Sequence, residues 1–423
     1  NVLKGNLGGA WDINKGYADA YTDLGIARRF GGATAAYSLR DIGAMNGRVV
    51  RVRRDSDDAE EDFSANQVAS GALETFVQAG ADYSIFASEE SAFRFLGQRS
   101  GGISASSDLT EFTLDVQTAS GYAGAKFNAD VTLGDSIYVS FNASLDEGSA
   151  TASPKVGLRN IDSALNGTLY SNEGIIKEGF NSFKLTSTNS TASGIVWSEG
   201  DDNVIFSVTD IKVSTVSRNG FVETWYDQSA NLRDAIQGTA TNQPSIVQNG
   251  GIVTVNSKPA ITFDGNDNFL EVDGTGSAEA YSFSPSGDFG MFIVYKASTG
   301  NIVDSRDAGG DGIFLQQSGS NTTRFRYNAS ANNIDVTATN DAQHFNTMTL
   351  DGTTLSGSVD GGTAVTKTVT VGVSTTQNLV LGAGFNQANA TDGEIQEAIF
   401  YENNKTTDKA NIEADIDNFY NIT

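Results

Sequence analysis

The chain contains no cysteine, a single histidine and only four prolines among 423 residues. The absence of cysteine excludes a disulfide framework, a thiolate metal site and a cysteine nucleophile. His344 cannot form a multi-histidine metal centre, and any serine–histidine–aspartate triad would have to pass through it. No run of about 18 apolar residues occurs, so no helix is expected to span a membrane.

Positive charge is also scarce, because 27 lysines and arginines face 52 aspartates and glutamates, for a net charge of −25. Such acidity disfavours nucleic acid as a partner, since phosphate binding requires cations. The one basic stretch, Arg48 to Arg54, is followed directly by the acidic residues 55–62. We expect a neutralised ridge of ion pairs or a subunit contact there, and we interpret the overall acidity as a solubility property of an exposed protein.

What the chain has is a pattern typical of β-structure. From about 101 to 217, and again from 220 to 401, apolar and polar residues alternate in short runs separated by Gly, Ser, Asn and Asp. Period-two alternation with such breaks predicts antiparallel β-sandwiches. A slip of the alternation near Thr209–Asp210 predicts a β-bulge. The short apolar run Met291–Tyr295 is interpreted as a buried strand.

Few helices are expected. Ser64 is a candidate N-cap for a helix over Ser64–Gly80, where apolar residues recur at helical spacing. Thr407 is the candidate N-cap of a C-terminal helix that carries Ile412, Ile416, Phe419 and Tyr420 on one side. Residues 1–32 lack a clear period and are interpreted as an arm or connector with a short helix near Tyr17–Arg29. Terminal arms of this kind usually need something else to pack on.

Two separated stretches resemble one known family. The first runs from Ala36–Arg40 through Val50–Glu60 to Phe76–Val77, and the second runs from Gly220–Ser229, with the letters GFVETWYDQS, through Lys258–Gly265. Together they resemble the catalytic-domain family of alpha-L-arabinofuranosidase B, a concanavalin A/laminin-G-like jelly roll. Similar domains also occur in structural proteins of tailed phages. The segment Asp392–Tyr401 resembles the closing strand of laminin-G-like lectin domains.

In that family the two stretches adjoin, whereas about 140 residues separate them here, of which about 120 form the proposed insert. The resemblance therefore implies an arm or connector at 1–32, a discontinuous laminin-G-like jelly roll at 33–99 plus 218–423, and an inserted β-sandwich at 100–217. The last strands of the insert resemble those of carbohydrate-binding modules. The expected fold is mainly β: a laminin-G-like jelly-roll sandwich with an inserted second β-sandwich and few short helices.

The nucleophile that the resemblance implies has no counterpart. Glycoside hydrolysis of the usual kind needs two carboxylic residues across the scissile bond. The family's nucleophile is a glutamate on a mid-domain strand, yet no glutamate occurs between Glu279 and Glu394. Asp304, Asp307 and Asp311 occur there, in a stretch that is interpreted as a glycine-rich loop.

The acid/base residue that the resemblance implies is missing too. In the family it is an aspartate after a Leu-Gly-x-Gly stretch, which corresponds to Leu381–Phe385 here, and the residue that follows is Asn386. An amide can neither give nor take the proton. We therefore predict no catalytic residue and no enzymatic activity.

Four residues are candidates for carbohydrate binding: Trp197, Phe385, Asn386 and Asp392. An aromatic ring can stack on a sugar, although Trp197 suits the core of the inserted sandwich equally well. Trp225 is expected in a core, and Asp227 or Gln228 is expected to hold a turn in place by hydrogen bonds.

Calcium is the one cofactor that the sequence suggests. Asp264-Gly265-Asn266-Asp267-Asn268 is rich in oxygen ligands, with Asp264 and Asp267 as candidate metal ligands, but Asp-Gly is also ordinary turn chemistry. Asp201-Asp202-Asn203 is a comparable candidate. His344 is interpreted as an ordinary surface histidine.

These observations favour a non-enzymatic surface or structural protein of a tailed-phage virion: a fibre, tail or capsid-decoration component with lectin-like domains. Its expected partners are other virion proteins through the N-terminal arm, and host or environmental glycans for host attachment, with neither nucleic acid nor membrane. A homo-oligomer is expected, with a trimer favoured, located at the virion surface and thus extracellular. The alternatives are an arabinofuranosidase-like glycoside hydrolase and a secreted bacterial adhesin.

Overall fold

The structure, a computed structural model, describes residues 25–43, 47–80, 94–95, 101–105, 110–116, 121–146, 154–159, 171–188, 192–199, 204–272, 283, 287–328, 330–372 and 377–423. Most of the predicted arm and the candidate calcium segment Asp201-Asp202-Asn203 lie outside the described residues. No helix within the described ranges is long and apolar enough to cross a membrane.

The described part is mainly β, as predicted, with four short α-helices. These are α1 Ile26–Arg29, α2 Ala65–Ala69, α3 Ala72–Val77 and α4 Lys409–Tyr420. The strands before residue 220 are β1 Ala33–Ser38, β2 Val50–Arg54, β3 Glu60–Phe63, β4 Arg94–Phe95, β5 Gly101–Ala105, β6 Phe112–Val116, β7 Gly121–Val131, β8 Ser136–Asp146, β9 Lys155–Arg159, β10 Gly174–Ile175, β11 Gly179–Thr186, β12 Ala192–Glu199 and β13 Val204–Ser214.

The remaining strands begin at Gly220. They are β14 Gly220–Trp225, β15 Ala235–Ile236, β16 Ser245–Gln248, β17 Gly251–Ile252, β18 Thr254–Val255, β19 Lys258–Pro259, β20 Ile261–Asp264, β21 Leu270–Val272, β22 Phe289–Asp304, β23 Ile313–Ser318, β24 Thr322–Tyr327, β25 Asn333–Thr337, β26 Gln343–Asp351, β27 Thr354–Val359, β28 Val365–Thr368, β29 Val380–Leu381 and β30 Asp392–Tyr401.

The larger unit joins the two ends of the described chain. Strands β1–β3, β14–β17 and β20–β30 pair antiparallel, and their pairings close into a barrel around one large apolar core. The 16-residue strand β22 is central, because it pairs with β26, β30, β23 and β29. The laminin-G-like jelly-roll topology that was expected for this unit remains a prediction.

The intervening strands form a second unit. Two five-stranded sheets, ordered β10-β9-β12-β7-β4 and β11-β8-β13-β6-β5, face one shared core. This second unit is a β-sandwich, and in the sequence it lies between the two halves of the larger unit. The domain boundaries proposed from sequence remain predictions.

Trp197 lies at the centre of that second core and has no exposed surface. Its ring packs against Phe112 and Phe141, with centroid distances of 5.3 and 5.9 Å. A fully buried ring cannot stack on a sugar, so the prediction of Trp197 as a carbohydrate-binding residue is wrong in this structure. Burial of its large apolar surface explains the placement.

Local signals in the sequence gave mixed results. The predicted bulge is confirmed, since the β13–β8 register shifts between Thr209 and Lys212, where Asp210 has a φ of 53°. Ser64 forms a capping box with Gln67, as an N-cap should, but the predicted single helix is divided into α2 and α3. Gly71, at a φ of 81°, makes the break.

The ends of the chain pack on each other. Thr407 is not the N-cap of α4, because that position is taken by Asp408. Ile412, Ile416 and Tyr420 are buried as predicted. They share a cluster with Ile26 of α1, so the described end of the predicted arm packs on its own chain.

Trp225 and its neighbours have the expected structural role. Trp225 is fully buried, and the Asp227 carboxylate accepts hydrogen bonds from the backbone N–H groups of Ala36, Ser229 and Arg233 at 2.8–2.9 Å. Gln228 bonds to three backbone groups of residues 38–42. These two side chains fix β1 against the loop after β14.

The basic stretch forms a ridge of ion pairs, which was one of the two expectations for it. Arg48 and Arg51 both contact Asp62 at 2.8 Å, and the next two arginines pair within the same hairpin. Those pairs are Arg53–Asp58 and Arg54–Asp57, each at 2.7 Å. In each pair at least one side chain is well exposed to solvent, and ion pairs of this kind contribute little stability each.

His344 is not an ordinary surface residue, which corrects the prediction. It is 8% exposed, its Nδ1 lies 2.6 Å from an Asp360 carboxylate oxygen, and its Nε2 lies 3.0 Å from the Thr339 carbonyl oxygen. Both partners are acceptors, so only the imidazolium, with two N–H donors, satisfies both. Burial alone would lower the pKa of His344, but the bond to Asp360 outweighs it, and the pKa is raised above 6.5.

This geometry predicts a pH dependence of stability. Because the folded-state pKa is above the unfolded value, the stabilisation is complete below about pH 6.5 and is lost as the pH rises through the folded-state pKa. The urea midpoint of the wild type should therefore fall between about pH 6 and pH 9. In the His344→Gln variant this fall should be smaller. Identical pH profiles for the two proteins would contradict the assignment.

Candidate functional site

The end of β22 and the next three strands present a polar surface. Asp304, Phe314, Arg326 and Asn333 are cross-strand partners in one row, and Asn301, Gln316, Arg324 and Asp335 form the row beside it. The alternate residues Leu315, Phe325 and Ile334 lie in the core. Side chains alternate across a strand, so these two rows point away from the core. We call the two rows, together with Arg306, the polar face.

Asp304 is the buried anchor of the polar face. Its side chain has no exposed surface and forms an ion pair with Arg306, with 2.6 Å between Oδ2 and Nη2. Its Oδ1 accepts from the backbone N–H and Nε of Arg306 at 2.9 and 3.0 Å, and its Oδ2 also accepts from Asn301 Nδ2 at 3.0 Å. Asp304 ends β22 instead of lying in a glycine-rich loop, which corrects the prediction.

Two arginines flank one aromatic ring. The guanidinium carbons of Arg306 and Arg326 lie 3.9 and 4.9 Å from the centroid of the Phe314 ring. Arg326 Nε donates to Asn333 Oδ1 at 2.8 Å. Burial, followed by repulsion from Arg306 and Arg324, lowers the pKa of Arg326, and Asp304 only partly offsets this. Arg324 is neutralised by a bidentate pair with Asp335 at 2.7 and 2.8 Å.

The loop before β30 brings Phe385 and Asn386 to the polar face. Asn301 donates its backbone N–H to the Asn389 carbonyl at 2.9 Å. A Cβ added at Gly384 would lie 3.1 Å from Asn301 Nδ2 and 3.4 Å from Asn386 Oδ1. Glycine thus lets the loop approach, and Asn386 lies beside Asn301. Phe385 is half-buried in the same turn and Asn386 is exposed.

The remaining predicted site residues lie at the start of β30. Asp264 and Asp392 are register partners, and Asp392 Oδ2 accepts from Ser298 Oγ at 2.6 Å. Both carboxylate oxygens of Asp264 accept from Asn266, at 3.0 and 3.2 Å. Burial would raise the pKa of Asp264, but these bonds lower it. Asp267 is exposed.

The calcium loop has the geometry of an ordinary turn. The bonds from Asn266 to Asp264 close the turn and occupy both oxygens of that candidate ligand. Within the described ranges, no group of three or more His, Cys, Asp or Glu side chains could hold a metal ion.

Sequence reasoning missed Glu394, although it shares a strand face with Asp392. Its Oε1 lies 3.4 Å from the Thr262 hydroxyl. Burial raises the pKa of Glu394, and Asp392 and Asp341 add to this, while Lys296 and the Thr262 bond oppose it. The alternation of β30 was the available signal, since residues i and i+2 face one way.

A separate cleft of about 470 Å³ lies between the two units. Glu178 and Asn142 of the second unit and Lys296, Asp341 and Gln343 of the larger unit are among its lining residues. Thr254 Oγ1 donates to Asn142 Oδ1 at 3.0 Å across the junction. None of the residues predicted from sequence lines this cleft.

Comparisons with known proteins gave structural matches alone, because no family model and no curated protein sequence matches the chain. One similar structure is a mutant GH54 α-L-arabinofuranosidase soaked with 4-nitrophenyl α-L-arabinofuranoside: 15% identity, TM-score 0.35, 47% of this chain and 51% of that chain. The chain thus matches about half the length of that protein.

Two further matches are a second arabinofuranosidase structure and a carbohydrate-binding module. A GH54 α-L-arabinofuranosidase soaked with a cyclic sulfate inhibitor has 14% identity and a TM-score of 0.34 over 62% of each chain. A mutant family 29 carbohydrate-binding module in complex with mannohexaose has 11% identity and a TM-score of 0.23 over 32% of this chain and 88% of that chain. The similar structures are thus a glycoside hydrolase and a carbohydrate-binding module, and we argue function from the geometry of the site.

Proposed function

We propose that this chain is a non-enzymatic, glycan-contacting surface protein whose contact site is the polar face. The observation that carries the proposal is the composition of that face. It offers amide groups and guanidinium donors on one sheet surface, with the buried Phe314 ring beneath the guanidinium groups, while its two carboxylates, Asp304 and Asp335, are both engaged by arginines.

These groups suit a saccharide. Sugar hydroxyls both donate and accept, so the accessible amides of Gln316 and Asn386 can pair with them in either sense, whereas Asn301 is buried beneath them. Gln316 Nε2 donates to Asn301 Oδ1 at 3.0 Å, which fixes the orientation of both amides before a ligand arrives. Preorganised polar groups of this kind lower the entropic cost of binding.

The same geometry argues against hydrolysis at this face. A retaining glycosidase needs two carboxyl groups about 5–5.5 Å apart, and an inverting one needs them about 6.5–9.5 Å apart. Asp304 accepts four hydrogen bonds from Arg306 and Asn301, so neither oxygen is available to a sugar. Asn386 provides an amide where the family resemblance implied an acid.

A hydrolase remains the second candidate because of Glu394. A carboxyl group with a raised pKa can act as general acid, and Asp392 lies two residues before it on the same strand. Glu394 and Asp392 would then be the two catalytic carboxylic residues of the alternative glycoside hydrolase, at a different place from those of the family.

The enzymatic question is decided by a turnover assay. We expect the wild type and the Asn386→Asp variant to release no product from aryl arabinofuranosides or cell-wall polysaccharides, because a restored carboxylate still lacks its partner at the polar face. Turnover that Glu394→Gln abolishes, and Glu402→Gln leaves intact, would establish the hydrolase instead. Glu402 is an exposed residue just beyond β30, which makes it a matched control.

The biological setting that we propose is the virion surface of a tailed phage, with a homo-oligomer, a trimer by preference, attached to other virion proteins. The support is the sequence resemblance to phage structural proteins and the net charge of −25, which suits an exposed particle component.

Two measurements test this setting. Light scattering of the full chain at micromolar concentration should give three times the monomer mass, and antibodies against the chain should label purified particles. A stable monomer would contradict the oligomer. Release by a bacterial secretion system, without particle labelling, would favour the adhesin alternative.

A further inference from the structure

The polar face carries an excess of positive charge in a strongly acidic chain. Arg306, Arg324 and Arg326 lie on or beside it, and Lys367 Nζ contacts the backbone carbonyls of Ala331 and Asn333 at its edge. Against these four cations stand the carboxylates Asp304 and Asp335. This local excess contrasts with the whole chain, in which acidic residues outnumber basic ones by 52 to 27.

Two of the four cations are neutralised and two are not. Arg306 pairs with Asp304, and Arg324 pairs with Asp335. Among the described residues, neither Arg326 nor Lys367 has a carboxylate within 4.0 Å of its nitrogen atoms. Their hydrogen bonds go to the Asn333 amide oxygen and to backbone carbonyls, which are neutral acceptors.

Arg326 is held in a fixed orientation. The bond from its Nε to Asn333 and the contact with the Phe314 ring restrain the guanidinium, and Nε is only one of its five N–H donors. A planar guanidinium with free donors is suited to bidentate recognition of an acid group. Repulsion from the positive charges of Arg306 and Arg324 disfavours the charged guanidinium of Arg326, and a bound anion would offset that repulsion.

We propose that the polar face binds the acid group of an anionic saccharide, a uronate carboxylate or a sulfate ester, at the guanidinium of Arg326. The neighbouring amide of Gln316, which is only half-buried, then contacts the sugar hydroxyls. This inference rests on the proposed glycan-contacting function and names its ligand class. Charge complementarity selects the acid-bearing saccharide over its neutral counterpart.

The test is isothermal titration calorimetry of the full chain with matched ligands. One arm uses a tri-galacturonate, the second its methyl ester, and the third a sulfated disaccharide of similar size. We expect one of the two acidic ligands to bind at least about tenfold more tightly than the ester, equivalent to about 1.4 kcal/mol. The preference should weaken as salt is added.

Single-residue variants test whether the preference for the acidic ligand depends on Arg326. Arg326→Gln should remove the tenfold preference, and Arg326→Lys, which keeps the charge without the planar fork, should restore only part of it. Arg54→Gln, in the distant ion-pair ridge, should leave it unchanged. Circular dichroism and the urea midpoint of each variant verify that it is folded.

The outcomes separate this inference from the proposed function. Equal binding of the acid and the ester, or an acid preference that survives Arg326→Gln in a folded protein, overturns the inference and leaves glycan contact standing. No binding of any saccharide overturns both. Binding of inorganic sulfate as tightly as the sulfated disaccharide would show an anion site that does not recognise sugar, and would also overturn the inference.

Discussion

The pairing of β22 with its neighbours is the constraint on which the larger unit depends. Its first seven residues, Phe289–Tyr295, are buried between β26 and β30, so apolar residues on both faces contribute to burial. Its second half turns to β23 and β29 and ends at Asp304. A carboxylate without exposed surface is tolerated only when it is paired and hydrogen-bonded, and Arg306 with Asn301 meets that condition. The strand that organises the core therefore also fixes the position of the polar face.

Patterns local in sequence predicted much of the fold. Alternation predicted the strands, the parity slip at Thr209–Asp210 predicted the bulge, and Ser64 predicted a helix start. The predictions that failed did so for two different reasons, one local and one tertiary. Gly71 breaks a helix that the apolar spacing alone would continue. Trp197 was ambiguous because an aromatic residue in an alternating strand has the same pattern whether it faces the core or a ligand.

The candidate site was harder to predict, because it depends on which strands are neighbours. Asn386 was identified from its place in the chain, but Arg306, Phe314 and Arg326 come together only through the register of β22, β23 and β24. The letters TTRFRY already place Arg324 and Arg326 on one strand face. Nothing in them shows that Asp304 neutralises Arg306 while Arg326 has only an amide partner. The prediction for His344 was wrong for the same reason, since its partner Asp360 directly follows β27, the strand that pairs with β26.

The proposed glycan contact at the polar face is tested most directly by a crystal structure of the chain with a bound acidic oligosaccharide. We predict an intact ligand, with its acid group at the guanidinium of Arg326 and its hydroxyls at Gln316. A sugar bound in the cleft between the two units, or a cleaved sugar beside Glu394 and Asp392, would contradict the account.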